Sequence, residues 1–281
     1  MSADLISLQE AADRLGVHYM TVYRYVRTGR LPARRVGTQW QVDPADLAAA
    51  TASAGAPGRP ASEGGRPSRA KLRRRLVDRL VAGDEPGSWA VTESALAGGA
   101  TLEEVVVDVV ADALRTIGER WEMGELTVDD EHRAAGVATR LVGRLGPLAT
   151  RRGPKRGTLV LGTPPGERHG LPTALAAVVL RGRGYEVVDL GADVPVDAFA
   201  AAVTKADRPL AAAIGVTAGR HDRSVRAIVR AVHDRAPEVV VLVGGPAIAD
   251  ADHATRLGAR WAGPDAVTLA DAVETVRQER R

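Results

Sequence analysis

The stretch Thr158-Leu-Val-Leu-Gly-Thr-Pro-Pro-Gly-Glu-Arg-His-Gly-Leu-Pro172 sets the fold of the larger part of this chain. It opens with a short apolar run, typical of a buried strand, and continues with loop-forming residues that lead into a helical pattern. Amphipathic helical stretches separate it from four further short runs, at 185–190, 210–216, 239–243 and 259–262. Because strands joined by helices form βαβ units, the sequence predicts a doubly wound, flavodoxin-like parallel sheet over 157–281.

The loop after the first strand carries an isolated histidine, His169. Ligands of open α/β sheets bind outside the carboxyl ends of the strands, where this loop is expected to lie. Thr217 follows the third strand, and Gly244 and Gly245 follow the fourth, so the same edge is expected to hold them. Small residues there would let a bulky ligand approach the backbone. The ordinary alternatives are an exposed loop histidine and glycines that only form turns.

Residues 70–150 predict a bundle of about four helices, because apolar residues recur there at helical spacing, as at Leu72, Leu76 and Leu80. No strand pattern interrupts this part of the chain.

One helix of the bundle is predicted to begin at Thr127, since Thr127 and Asp130 have the spacing of an N-cap and an acidic third residue. Trp121 then lies in the last turn of the preceding helix, and Glu131 and His132 lie just inside the next one. All three side chains could face one cleft. The alternative for each alone is a core tryptophan and a solvated Glu-His pair.

The first 50 residues predict a small separate domain, because 51–69 contain Gly, Pro, Ser and Ala but no core-forming residue and are expected to be a flexible tether. Residues 8–17 predict a helix that ends at Gly16, residues 19–28 predict a second helix, and residues 34–42 predict a β-hairpin around a Gly-Thr turn. From Tyr19 to Trp40 there are five Arg and no Asp or Glu, a local charge that suits phosphate.

This order of helix, turn, helix and hairpin resembles the excisionase and MerR-type winged helix-turn-helix, over roughly residues 5 to 48. The resemblance implies that the second helix enters the major groove of double-stranded DNA and that the wing meets backbone phosphate. The residues expected at the groove are Thr21, Tyr23, Arg24 and Arg27, and those on the wing are Arg34, Arg35 and Gln39. One such module buries little DNA surface, so a homo-oligomer, a dimer or tetramer, is expected on the operator. A solvated basic face on an adaptor domain is the alternative.

Composition limits the chemistry further. The 281 residues contain no cysteine and only six histidines, so disulfides and thiolate metal ligands are excluded and a metal would use His, carboxylate or backbone oxygen. The sequence has no long apolar run and no secretory leader, which predicts a cytoplasmic protein with no membrane contact.

The bundle and the doubly wound domain together resemble the cobalamin-binding domain pair of corrinoid proteins. The residues that carry this likeness are Glu167, His169, Thr217, Gly244 and Gly245. Trp121, separated by nine residues from Glu131-His132, adds a resemblance to adenosylcobalamin-dependent photoreceptor regulators of the CarH/LitR type. The likeness covers nearly the whole chain. It departs from the family loop at Pro172, where Glu-x-His-x-x-Gly is usual, although proline is acceptable as the first residue of the following helix.

The resemblance implies two faces of a corrinoid site. Below the cobalt, His169 would be the axial ligand in place of dimethylbenzimidazole, and Glu167 would organise its loop beside Gly170. The nucleotide tail would enter the sheet near Thr217, Gly244 and Gly245. Above the cobalt, Trp121 would cover the adenosyl group of adenosylcobalamin, Glu131 would hydrogen-bond it, and His132 would take the cobalt position that photolysis vacates.

The function implied is that of a light-responsive, cobalamin-binding transcription regulator, a repressor without catalytic turnover. In the related regulators the dark adenosyl form assembles on DNA and light disperses it. Two alternatives stay open, namely a corrinoid carrier for methyl transfer and a regulator that binds another cobalamin form or a different ligand. The N-terminal module argues against the carrier, because a carrier has no use for an arginine-rich winged helix.

Overall fold

The computed structural model describes residues 5–17, 22–23, 25–26, 31–36, 39–47, 68–151, 153–219 and 221–280. At the N-terminus, a three-stranded antiparallel sheet packs with one complete helix and a 3-10 turn. These elements are β1 (Ile6–Ser7), α1 (Leu8–Leu15), β2 (Ala33–Val36), β3 (Gln39–Val42) and the turn Pro44–Asp46. Their order in the sheet is β1-β3-β2, so the predicted hairpin is present.

The first predicted helix ends as its sequence indicates. Ser7 and Glu10 form a capping box at the start of α1, and Gly16 ends it in the left-handed region at φ 65°. The described residues of the second helix, Val22, Tyr23, Tyr25 and Val26, are helical. The predicted tether at 51–69 lies outside the described residues except for its last two, since Ser68 caps α2 and Arg69 begins it.

Residues 69–149 form the predicted bundle of four helices, the third of which changes from α to π geometry and back. The helical segments are α2 (Arg69–Val81), α3 (Glu85–Ala97), α4 (Leu102–Glu104) with a π-helix (Val105–Ala111) and α5 (Asp112–Glu122), and α6 (Val128–Ala149). Leu72, Leu76 and Leu80 are buried along α2, as their spacing predicts. In the part of the chain that the structure describes, no helix is long and apolar enough to cross a membrane.

The C-terminal part is a five-stranded sheet in which all neighbouring strands are parallel, with helices between them. Its elements are β4 (Thr158–Gly162), α7 (Leu171–Gly182), β5 (Glu186–Asp189), α8 (Val196–Lys205), β6 (Pro209–Gly215), α9 (Asp222–Arg235), β7 (Val240–Gly244), α10 (Ala251–Arg256), β8 (Arg260–Trp261) and α11 (Ala266–Glu279). The strand order is β5-β4-β6-β7-β8, which confirms the doubly wound, flavodoxin-like prediction. The order reverses between β4 and β6, and that switch point locates the ligand crevice.

The bundle and the sheet share one hydrophobic core. Leu141 and Leu145 of α6 are buried in the same apolar cluster as Leu175 and Leu180 of α7. At the end of α7, Arg183 donates to Glu103 of α4 at 2.7 Å and to Asp271 of α11 at 2.6 Å. The hydrogen bonds from Arg183 to these carboxylates raise the pKa of the guanidinium, Glu103 contributing most, and overcome its partial desolvation. The bundle is therefore fixed to the sheet by apolar packing and by this ionic bridge.

Candidate functional site

The loop between β4 and α7 is fastened to the connection that follows β5. Thr163 Oγ1 donates to the carbonyl of Glu167 at 2.7 Å, and Asp193 N donates to Thr163 Oγ1 at 2.9 Å. The Asp193 carboxylate in turn accepts from Gly166 N at 2.7 Å. Asp193 itself has a positive φ of 55°, a conformation that aspartate tolerates better than most residues. These bonds give the His169 loop a defined path across the switch point.

Glu167 holds this loop together. Only 1% of the residue is exposed, and both oxygens of its buried carboxylate accept hydrogen bonds. Oε1 accepts from His169 N at 3.0 Å and contacts Nδ1 of the same residue at 2.5 Å. Oε2 accepts from Thr217 N at 2.8 Å and Ala218 N at 3.0 Å. Burial acts to raise the pKa of Glu167, but the hydrogen bonds from Ala218 and His169 outweigh it and hold the pKa below its usual range.

The ionised carboxylate fixes the proton on His169. A carboxylate can only accept hydrogen bonds, so Nδ1 of His169 must donate, and in the neutral ring Nε2 then carries the lone pair. The His169 side chain is 57% exposed, while its partner is buried. A ring held by a carboxylate through one nitrogen, with the other available, is the usual arrangement of a metal-binding histidine.

Beside this loop, a narrow apolar channel opens at the carboxyl ends of the central strands, between α7 and α11. It encloses about 80 Å³, and aliphatic, glycine and proline residues form most of its wall. Thr217, Gly244 and Gly245 all line it, as does Pro172. Pro172 is the second residue of α7 rather than the first, where the missing N–H still costs no helical hydrogen bond. The structure thus accommodates the departure from the family loop.

Two of the predicted glycines stand where backbones approach too closely for a side chain. A Cβ on Gly245 would lie 2.4 Å from the carbonyl oxygen of Val216, and Gly245 has a φ of +106°. A Cβ on Gly244 would lie 2.5 Å from the carbonyl oxygen of Gly263. Gly170, beside His169, is less restricted, since its Cβ would meet that of Ala192 at 3.3 Å. Gly244 and Gly245 therefore shape the channel through close packing of the main chain.

We expect Gly245→Ala to destabilise the protein by about 2 kcal/mol or more, because it adds a clash with Val216 to an unfavourable backbone conformation. Chemical denaturation measures the effect. The control is Gly143→Ala, which adds a Cβ to open space on helix α6 and is expected to be neutral or slightly stabilising. Equal stability of the two variants would contradict the packing described for Gly245.

The corner between α5 and α6 holds the other three predicted residues. Thr127 and Asp130 form a capping box that begins α6, which confirms the predicted helix start. Trp121 lies in the last turn of α5 and is 45% exposed. His132 has its Nδ1 2.9 Å from the carbonyl oxygen of Val128 and 3.0 Å from Oε2 of Glu131. Because a carbonyl accepts, Nδ1 donates here as well, and Nε2 of this 76% exposed side chain stays available.

Besides Trp121, this corner exposes two apolar side chains that the sequence analysis did not single out, Met123 and Val128. Trp121, Met123 and Val128 are three of the four large hydrophobic residues exposed in the described part of the chain. The only feature of the sequence that could have indicated this exposure is the position of these residues around the predicted turn between α5 and α6. Exposed apolar residues grouped in this way mark surfaces that a ligand or partner covers. Among the described residues, no hydrogen bond or ion pair joins this corner to the His169 loop.

The predicted DNA-contacting residues are described only in part. Thr21, Arg24 and Arg27 lie outside the described residues. Arg34 is exposed on β2, and Arg35 and Gln39 lie on the strands of the same hairpin.

Tyr23 corrects the prediction. Only 7% of the residue is exposed, and it packs into the apolar core of the N-terminal part with Val22 and Leu31. It therefore stabilises the module and does not face the major groove.

Comparison with known families matches three parts of the chain. A helix-turn-helix domain model matches residues 5–54, and two models described as B12 binding domains match residues 72–145 and 157–277. The two B12-binding matches correspond to the bundle and to the sheet.

Curated relatives extend these matches. The dimethylamine corrinoid protein of Methanosarcina barkeri is 31% identical over 54% of this chain and 70% of its own length. The trimethylamine corrinoid protein 1 of Methanosarcina acetivorans is 26% identical over 74% of this chain and 98% of its own length. The HTH-type transcriptional repressor CarH of Myxococcus xanthus is 36% identical over 52% of this chain and 48% of its own length.

Among solved structures, the monomethylamine corrinoid protein of Methanosarcina barkeri superimposes with a TM-score of 0.60 at 18% identity, covering 74% of this chain and all of that one. This similarity concerns the fold, a helical bundle followed by a doubly wound sheet. With the two domain matches and the sequence relatives, it leads to one conclusion. The chain belongs to the corrinoid proteins, the family that binds cobalamin through this pair of domains.

Proposed function

We propose that this protein is a light-responsive transcription regulator, a repressor that uses adenosylcobalamin to control its assembly on a DNA operator. The observation that carries the proposal is the helix-turn-helix match at 5–54 in the same chain as the two B12-binding domains. The 36% identity to a transcriptional repressor supports it. We propose a cytoplasmic homo-oligomer without catalytic turnover.

The residues of the sheet domain fit a corrinoid. His169 offers Nε2 as the lower cobalt ligand, and Glu167 holds the ring in the required tautomer through the contact at 2.5 Å. Thr217, Gly244 and Gly245 line an apolar channel of about 80 Å³, and the dimethylbenzimidazole base of the nucleotide tail is the part that such a wall would suit. Gly170 has no side chain that would crowd the backbone next to His169, the proposed cobalt ligand.

The corner between α5 and α6 fits the upper face. Trp121 would cover the adenosyl group, and Met123 and Val128 would extend that apolar surface. Glu131 would accept a hydrogen bond from the same group. His132 would present Nε2 towards the cobalt, because its Nδ1 is held by the carbonyl of Val128 at 2.9 Å.

The cofactor would supply a cobalt–carbon bond that light breaks. The protein would contact the cofactor differently before and after this bond breaks. Trp121 would pack against the intact group, whereas His132 would bind the cobalt only after the group has left, so the two states would favour different positions of the α5–α6 corner. A shift of this corner would change the surface that the copies of the chain share on DNA.

The experiment is size-exclusion chromatography and DNA binding with adenosylcobalamin, in darkness and after green light. Wild type is expected to change its oligomeric state and lose DNA on illumination. In His132→Ala photolysis should still occur, because the broken bond belongs to the cofactor, but the spectrum of cobalt held by two imidazoles should be missing. His233→Ala, at an exposed position on α9, is the matched control. Identical elution of wild type in darkness and light would contradict the light switch even if cobalamin binds.

A second candidate is a corrinoid carrier for methyl transfer. It is favoured by the alignment with the trimethylamine corrinoid protein 1, which spans 98% of that protein. A third is a regulator that responds to another cobalamin form or to a different ligand. DNA binding by the full chain separates the regulators from the carrier. The colour of the protein after incubation with adenosylcobalamin in darkness separates a cobalamin regulator from one with another ligand.

A further inference from the structure

The positive charge of this protein is concentrated in one short segment. Residues 51–81 contain eight Lys or Arg and two acids, although the whole chain has a net charge of only +3. From residue 82 onwards, 24 basic residues are outnumbered by 28 acidic ones. The segment therefore carries a local charge opposite to that of the residues that follow it, from 82 to 281.

Helix α2 holds most of this charge and divides it between two surfaces. Its apolar face packs into the bundle core through Leu72, Leu76, Val77 and Leu80. Beside that face, three arginines are neutralised by acids of the bundle. Arg69 pairs with Asp108 at 2.6 Å, Arg73 with Asp112 at 3.4 Å, and Arg79 with Asp84 at 2.7 Å.

The opposite face carries Lys71, Arg74 and Arg75, which we name the α2 basic stripe. Positions i, i+3 and i+4 are neighbours on a helix, so the three cations share one patch, and all three are exposed. Within the described part of the chain none of them has a carboxylate within 4.0 Å. The acid of the next turn, Asp78, is exposed on the same side and does not pair with them.

Local stability does not explain the stripe. Lys71 lies in the first turn of α2, where the helix dipole favours acids and disfavours cations, and Arg74 and Arg75 follow in the second turn. Three like charges at these spacings also repel each other. A group of like charges that repel each other and have no ion-pair partner among the described residues points to a partner outside them.

We propose that the α2 basic stripe binds the phosphate backbone of DNA beside the site that the helix-turn-helix module recognises. This inference rests on the proposed function, since it requires that the N-terminal module binds DNA. The stripe follows the predicted tether directly, so a module seated on DNA would hold the stripe at high local concentration near the same duplex. Contacts to phosphate carry no sequence information, so the stripe would add affinity for any duplex.

The size of the effect follows from counterion release. Each phosphate neutralised on duplex DNA contributes about 0.9 to the slope of log affinity against log salt concentration. Three cations therefore contribute up to about 2.7 per bound chain. The contribution should be equal for operator and for unrelated sequence.

The test uses the full chain and the variant Lys71→Gln/Arg74→Gln/Arg75→Gln, with binding to a mixed-sequence duplex measured between about 50 and 200 mM salt. The variant is expected to lower the salt slope by up to about 2.7 and to bind more weakly at the low-salt end. The substitutions leave the buried face of α2 intact, and an unchanged cobalamin spectrum shows that the bundle is folded.

The control is Lys205→Gln/Arg223→Gln/Arg230→Gln, which removes the same three charges from exposed positions on α8 and α9. An equal loss of slope in the control would show that only net charge matters and would overturn the proposal. An unchanged slope in the α2 variant overturns it while the DNA-binding function stands, including when that variant loses binding to anionic lipid vesicles instead. If wild type binds no duplex at all, the proposed function fails and this inference fails with it.

Discussion

His169→Ala is expected to weaken cobalamin binding by at least about 10- to 100-fold and to return the bound spectrum towards that of a corrinoid without an imidazole ligand. Loss of a group that only orients a ligand costs that much in metal affinity, and loss of the ligand should cost no less. The Nε2 atom of His169 is placed for this role because Glu167 fixes the proton on Nδ1. Equilibrium dialysis in darkness measures the affinity, and absorption spectroscopy measures the ligand.

A control variant and a rescue experiment test whether this effect is specific to His169. His233→Ala, at an exposed site on α9, should leave both measurements unchanged. Free imidazole added to His169→Ala should restore the spectrum, because it can occupy the position of the lost ring. An unchanged spectrum and affinity in His169→Ala would remove this residue from the site.

Glu167→Gln is expected to weaken cobalamin binding by a similar factor, although glutamine and glutamate have nearly the same shape. If the amide oxygen faces Thr217 N and Ala218 N, the amide nitrogen faces His169 and donates to Nδ1, which transfers the ring proton to Nε2 and removes the lone pair for cobalt. If the amide is reversed, its N–H groups face two backbone N–H groups. Either arrangement leaves buried donors unsatisfied, and we expect a loss of about 2 kcal/mol or more in the free energy of unfolding.

The measurements for Glu167→Gln are urea denaturation without cofactor and cobalamin affinity, which should fall about 10- to 100-fold. Glu186→Gln, on the exposed side of β5, is the matched control and should change neither. A variant that keeps wild-type affinity would show that the tautomer of His169 is set by some other group. A variant that loses affinity but not stability would confine the role of Glu167 to orienting the ring.

Sequence patterns predicted the sheet well because buried parallel strands are marked by apolar runs and by the loop formers between them. The run at 158–162 coincides with β4, and the loop that follows it carries Glu167 and His169 into contact. The capping box at Thr127 was equally readable, since it depends on two residues three positions apart. These signals involve residues that are close in the sequence, so they can be recognised without knowledge of the fold.

Contacts between segments that are distant in the sequence could not be predicted from it. No residue pattern indicates that Glu167 accepts hydrogen bonds from Thr217 and Ala218, about fifty positions away, because backbone N–H donors are common to nearly all residue types. Tyr23 was assigned to the wrong face of its helix, since a short segment with two tyrosines and two valines has no clear polar side. The π-helix at Val105–Ala111 was also missed, because its apolar residues have the spacing of an ordinary buried helix.

The bridge from Arg183 to Glu103 and Asp271, together with the core that the bundle shares with the sheet, bears on how the protein melts. Two domain models match this region, but buried residues of both parts belong to one apolar cluster. Heat should therefore unfold residues 69–279 in a single cooperative transition whose calorimetric and van't Hoff enthalpies agree. A corrinoid held mainly by the sheet would then raise the melting temperature of the helices as well, since a ligand stabilises the whole unit that must unfold to release it.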